Sequence, residues 1–359
     1  IMKNHKHLVF LISISFFISS CIPLDNALDA VCYNKSYYTV DYMSLKVDDK
    51  EDIVGSDKPY IINVGFRSKW GQNCSGSTKV MEQEAKGVTP FAQGDRWPFN
   101  DKMGLMEYPS IGWQKNNDLA NIINRINTDG VTIFGNVAII IEDDNWPQAV
   151  RNQVGPLVAN ALKVALDEVV STGGVINEQN IRDKLTTLVA TLNIRLRDII
   201  RLAGGAFLNS DDDIIGVDVN LNIDIPDYTL QLLGLNVNDF KVKINIGELA
   251  GTAVTAYTET RSNLVQFLGV LVNNILIIPS QGQIEVSLSF GGVPPSAPTS
   301  TSISRYNIEK KFTLKNQSGE TRAIYTLYGF QGFQCYGTLN PAVPNYTGNQ
   351  VAIGNGICL

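Results

Sequence analysis

Three acidic runs are the parts of this chain whose residue types and spacing could do chemistry: Asp48 to Asp57, Glu142-Asp143-Asp144 and Asp211-Asp212-Asp213. Each adjoins a run that reads as a β-strand. A hard cation such as Ca2+ gathers roughly six to eight oxygen ligands, and clustered acidic loops are a ready source of them. Simple solvation is the other role open to such loops. Paired carboxylates can also hydrolyse glycosidic bonds, but one of them must then be held protonated in an apolar pocket. Here the acids lie in short runs with no such pocket evident. No phosphate-binding loop, Rossmann glycine fingerprint, HExxH, CxxC or GxSxG is present. Both histidines, His5 and His7, fall in a segment that reads as a removable leader. The remaining chain would then lack imidazole, and with it Ser-His-Asp catalysis and histidine-bound zinc. These readings point to binding rather than catalysis.

The 359 residues are 44% hydrophobic and 18% charged, which is globular composition, and their length suggests two domains. A net charge of -6 without a basic run argues against nucleic acid as a partner. Residues 1–21 combine a basic start (Met2 to His7) with an apolar run from Leu8 to Ile18 that is short for a bilayer span. This is read as a signal peptide. Alternatively, Ile18-Ser19-Ser20-Cys21 is a lipobox, making Cys21 the lipid-bearing first residue of an outer-membrane lipoprotein. The expected location is therefore secreted or anchored at the cell surface. Cys32, Cys74, Cys335 and Cys358 are an even set, so two disulfides can form in an oxidising compartment, and three pairings are open. Asn34, Asn73, Asn316 and Asn345 begin glycosylation sequons, which matter only in a eukaryotic secretory route.

The elements that must position the acids are mostly strands. Tyr37 to Tyr42 and Tyr60 to Phe66 read as two strands joined by the first acidic run, and Val131 to Ile141 as a buried strand feeding the second. Between Trp146 and Leu202 the period changes to that of helices. Val150, Val154, Leu157, Ala161, Ala165 and Val169 form one stripe, and Ile181, Leu185, Leu188, Leu192, Leu196, Ile199 and Ile200 form another. Gly173-Gly174 and Gly204-Gly205 would end the two helices. After the third acidic run, Val217, Val219, Leu221, Ile223 and Ile225 alternate with Asp218, Asn220, Asn222 and Asp224, which predicts a strand with one wet face. Further strands are expected at Lys241–Ile246, Gln283–Phe290, Lys311–Leu314 and Ala323–Tyr328, with a linker at Pro294–Ser304.

Asp52-Ile53-Val54-Gly55-Ser56-Asp57-Lys58-Pro59-Tyr60-Ile61 resembles the first calcium loop of C2 domains, Asp-x-x-Gly-x-Ser-Asp-Pro-Tyr-Val, shortened by one residue and with Lys58 inserted. Asp211-Asp212-Asp213-Ile214-Ile215-Gly216 resembles the close of their third loop, and Ile139 to Asp144 its opening. The resemblance covers these loops alone. It implies an α+β, β-rich fold in which a C2-like β-sandwich at 36–232 carries a two-helix insertion at 146–205, followed by a second antiparallel β region at 233–359. It also implies a Ca2+ site at one end of the sandwich, with Asp52, Asp57, Asp143 and Asp213 as ligands. Asn145 stands where the family has a second aspartate. With fewer anionic ligands, binding would suit extracellular calcium levels.

The function so implied is calcium-assisted binding at a membrane surface or to a cell-surface glycan or protein. A structural or adhesive surface protein, assembling without metal and including homo-oligomers, is the alternative. A pore-former is the minor one, suggested by the alternation of Thr252 to Thr260 beside the apolar run Leu264 to Ile278. Trp70, Trp97, Trp113 and Trp146 are read as packing residues rather than a sugar platform.

Overall fold

The structure is a computed structural model. It describes residues 36–50, 58–84, 92–99, 105–109, 131–142, 148–174, 213–224, 243–249, 252–257, 272–278, 282–292, 305–316, 318–335, 349–351 and 353, with helical positions between 180 and 198. The leader with Cys21, the linker and much of the third acidic run lie outside them, as do Cys32, Cys358, Trp113 and Trp146.

The fold is β-rich with a helical layer. Its strands are β1 (Ser36–Asp49), β2 (Pro59–Lys69), β3 (Ser77–Glu84), β4 (Arg96–Pro98), β5 (Leu105–Pro109), β6 (Thr132–Glu142), β7 (Asp213–Asp224), β8 (Lys243–Leu249), β9 (Thr252–Tyr257), β10 (Val272–Ile278), β11 (Gly282–Gly292), β12 (Arg305–Lys315), β13 (Thr321–Cys335) and β14 (Asn349–Gln350). Helix α1 (Gln148–Val169) lies between β6 and β7 in sequence. Twelve strands form one sheet with the path β14-β5-β1-β13-β12-β11-β7-β6-β2-β3; β10 joins at β11 and β4 at β1, while β8 and β9 form a separate pair. Pairing is antiparallel except between β7 and β11 and between β5 and β14. Strands from 36–232 and from 233–359 thus share one sheet.

The sheet doubles back on itself. Near the fold, β11 and β12 share a single paired position, Gln283 with Lys315. The half made of β5, β1, β13 and β12 then faces the half made of β7, β6 and β2. Tyr38 of β1 meets Phe134 of β6 edge-on at 5.0 Å, and Tyr108 of β5 lies 4.8 Å from the same ring. Gly216 of β7 lies under Phe312 of β12, so close that a Cβ there would be 2.3 Å from Phe312 Cδ1.

Helix α1 covers the other face of β2 and β3. Every residue of β2 and of β6 is buried, which is why both read as strands without a clear polar alternation. The helix buries Val154, Val158, Leu162, Ala165, Leu166 and Val169. Each aliphatic side chain of this size contributes about 1.5–3 kcal/mol when fully buried. Leu157, expected on the buried stripe, is 48% exposed, and Leu162 and Leu166 take its place. Val154, Ala165 and Val169 of the expected stripe are buried, and the buried face is wider than the stripe, taking in Val158, Leu162 and Leu166 as well.

The end of α1 is clasped by the loop after β2. Gly71 N donates to Val170 O at 3.0 Å, Trp70 Nε1 to Gly174 O at 3.2 Å, and Gly76 N to Asp167 Oδ1 at 2.9 Å. Val170 O, just past the last helical residue, also accepts from Gly173 N at 3.0 Å. Gly173 closes the helix at φ 47, 2.4 Å from Gly71 Cα if it carried a Cβ. A second helical stretch, read at 180, 183–184, 187–188, 190–191, 194–195 and 198, docks beside it. Arg195 Nη2 bonds both oxygens of Glu168 at 2.9 and 2.8 Å, and Leu188 is fully buried.

Gly216→Ala should lower unfolding free energy by about 1–3 kcal/mol, because the added methyl overpacks the root of the Phe312 ring. Adding Phe312→Leu should recover part of that loss in urea titrations. Additive losses would show that the two halves do not meet there.

Candidate functional site

Residues of β6 that alternate inward are Thr132, Phe134, Asn136, Ala138, Ile140 and Glu142. Register pairs Ala138 with Asn63 of β2 and Asp218 of β7, Asn136 with Gly65 and Asn220, and Phe134 with Arg67 and Asn222. The inner face of β2, β6 and β7 is consequently polar at its centre. Asn63, Asn136 and Asn222 are 0% exposed and Asp218 and Asn220 are 1% exposed.

The strand predicted to have one wet face does not have one. Its polar side faces the other half of the sheet, where tyrosine, lysine and glutamine meet it. Alternation along β7 shows which residues share a face; it does not show that another layer covers that face.

Asp218 is the centre of this layer. Its Oδ2 accepts from Tyr42 Oη at 2.6 Å and its Oδ1 from Lys310 Nζ. The lysine side chain is 11% exposed and the carboxylate 1%. Tyr42 Oη accepts in turn from Asn136 Nδ2 at 2.8 Å, and the same amide donates to Asn63 Oδ1 at 3.1 Å. Asn222 Nδ2 donates to Asn220 Oδ1 at 3.0 Å, and Asn220 Nδ2 to Gln331 Oε1 on β13. Burial, and then the charge and hydrogen bond of Asp218, hold the Tyr42 phenol well above the ordinary tyrosine value of 10.0. Burial pushes the Tyr108 phenol up as well; its hydroxyl donates to Gly135 O at 2.5 Å. These groups are proton-holding and mutually engaged, a structural network rather than an exposed acid–base pair.

A second feature lies at one end of the same three strands. Pro59, the first residue of β2, pairs with Glu142, the last of β6, and Glu142 pairs with Asp213, the first of β7. Neighbouring strands run about 4.8 Å apart, so the three ends span about 10 Å. The chain bearing Asp52 and Asp57 enters β2 at this end. The chain bearing Asp143 and Asn145 leaves β6 here, and Asp213 itself opens β7. Asp52, Asp57, Asp143 and Asn145 lie outside the described residues, as does the side chain of Asp213. Among the described residues no three His, Cys, Asp or Glu side chains gather as a metal group.

Glu142 belongs to the second acidic run but was not singled out from sequence as a ligand. It is 2% exposed, and its Oε1 accepts from Lys58 N at 3.3 Å, tying β6 to the entry of β2. The signal that could have found it is its place on the inward alternation of β6, two residues beyond Ile140.

Two outcomes test the polar layer. Lys310→Met strands a buried carboxylate and should cost about 3–5 kcal/mol in urea unfolding, whereas Lys310→Met with Asp218→Leu should cost much less. Equal losses would mean that the pair is not coupled. Because the folded-state pKa of Tyr42 is raised, its contribution is fully present below the unfolded value near 10 and lost as pH rises above it. Tyr42→Phe should therefore shallow the fall in stability above about pH 10 by about 1.4 kcal/mol per pH unit, leaving the Tyr108 part. An unchanged alkaline slope would contradict the assignment.

Comparison with protein-family models, with curated proteins and with solved structures gives no match.

Proposed function

We propose that this is an exported binding protein of a membrane or cell surface, whose acidic loops at one end of a C2-like sandwich hold Ca2+ through Asp52, Asp57, Asp143, Asn145 and Asp213. The observation that carries this reading is the register that aligns Pro59, Glu142 and Asp213 on adjacent strands. Three acidic segments distant in sequence are thereby rooted side by side, which a multidentate oxygen site requires. A cation held there would bridge to an anionic head group, a glycan or a protein carboxylate, or would stiffen the loops that touch the partner. The disulfide at Cys74 supports an oxidising compartment and hence export. Binding rather than catalysis fits an interior whose charges are spent on one another.

The alternative is a structural or adhesive protein that assembles without metal. One observation favours it. Strand β10 (VNNILII) carries no charge and no proline, and among the described residues it pairs only with β11. The opposite end strand β3 carries Lys79, Glu82 and Glu84, the charges that ordinarily keep an edge from pairing with another chain.

Thermal melting of the exported form in EDTA and in about 2 mM CaCl2 separates the two readings. Extracellular-range affinity should raise Tm by about 2–5 °C. The combined Asp57→Asn, Asp143→Asn, Asp213→Asn variant should lose that rise. A wild-type protein indifferent to calcium would remove the calcium mechanism and leave metal-free assembly as the better account.

A further inference from the structure

The amide cluster of Asn136, Asn220 and Asn222 contains an imbalance that the network does not resolve. Asn136 and Asn220 are register partners on β6 and β7, and Asn222 follows on the same face of β7. Each carboxamide offers two donor hydrogens and one carbonyl oxygen with two lone pairs. Asn220 Oδ1 is satisfied by Asn222 Nδ2. Asn136 Oδ1 and Asn222 Oδ1, in residues 0% exposed, have no donor among the described residues.

The hydroxyls and amides around them already have other partners. Tyr42 Oη donates to Asp218, Tyr108 Oη to Gly135 O, Asn136 Nδ2 to Tyr42 and Asn63, Asn220 Nδ2 to Gln331, and Asn222 Nδ2 to Asn220. The amide orientations follow from the same accounting. Tyr42 spends its proton on Asp218, so its oxygen needs a donor, and Asn136 must present Nδ2 to it. That turns Oδ1 of Asn136 away from β2.

A buried carbonyl left bare is costly, so native interiors fill such places. We propose that the Asn136–Asn222 carbonyl pair is a built site for one internal water, which donates one hydrogen to each oxygen. Water is the smallest species with two donors, and buried waters occupy sites of this kind with about three hydrogen bonds each. A monovalent cation fits less well. Two neutral oxygens fall short of a cation's ligand shell, and Lys310 already neutralises the neighbouring Asp218. The water would complete the polar layer across β6 and β7.

A crystal structure of the unmutated protein, refined with solvent, tests the site directly. The expected result is a peak about 2.8 Å from both Asn136 Oδ1 and Asn222 Oδ1. A parallel soak in rubidium chloride should leave that peak unchanged. No peak there, in a map that resolves other buried waters, overturns the proposal; so does a peak that gains anomalous rubidium signal, which would identify a cation. Water-oxygen relaxation dispersion in solution should count one long-lived water fewer in Asn222→Leu than in the wild type. An equal count in a folded Asn222→Leu protein would also overturn it.

Discussion

A carboxylate with 1% exposure must be neutralised where it lies, and Asp218 is neutralised by a lysine and a tyrosine from the opposite half of the sheet. Desolvating such a pair costs several kcal/mol per ion, so it does not by itself stabilise the fold more than apolar packing would. It acts through selectivity. Any register or stacking that moved β7 by one residue would send Asp218, Asn220 and Asn222 to the helix side, where Ile62, Val64 and Phe66 of β2 and the apolar stripe of α1 offer no partners. The polar layer thus fixes how the two halves meet, even though β11 and β12 share one paired position near the fold.

How far the sequence disclosed this depends on what each pattern measures. The β-branched run of β6 and the aromatic, β-branched text of β2 were legible as strands because burial on both faces keeps most positions apolar, with Asn63, Arg67, Ser68 and Lys69 in β2 and Thr132, Asn136 and Glu142 in β6 as the polar exceptions. The helical segment between β6 and β7 was legible from its change of period, and Gly173-Gly174 from the need for a residue that tolerates positive φ at the helix end. The partner of the polar side of β7 was not legible. Asp218, Asn220 and Asn222 look like a solvated face, since a strand's own text is silent about a layer contributed by residues such as Tyr42, Lys310 and Gln331. Strand ends were partly legible: the acidic runs marked them, while their adjacency came from register alone.

The two polar features on β2, β6 and β7 have opposite physical demands. In the middle of the strands, hydrogen bonds tie Asp218 to Tyr42, Tyr42 to Asn136 and Asn220 to Gln331, and the low-dielectric surroundings make an exchange of partners costly. At the Glu142 end, the chain enters β2, leaves β6 and enters β7 beside acidic residues of the sequence, away from that network. A protein that must hold a fixed shape while presenting an adjustable charged end is well served by this division along one set of strands.

The helical layer is attached to that same end. Glu142 and Asp213 are paired, so the chain departs from and returns to adjacent positions across the whole excursion that contains α1. Closing a long excursion costs little more than closing a shorter one, because the entropic penalty grows only logarithmically with length. The segment containing α1 therefore leaves the β6–β7 ladder intact and packs over β2 and β3. Its placement has a mechanical consequence. A change in charge or ligation at the ends of β6 and β7 acts on the two points through which the helices are tethered. The loop clasp at Trp70, Gly71 and Gly76 holds the far end of α1 to the sheet. With one end of the helix held by these hydrogen bonds, one of them to the Asp167 carboxylate, and the other joined through the chain to the acidic end of β6, the helical layer is anchored to the sheet at both ends.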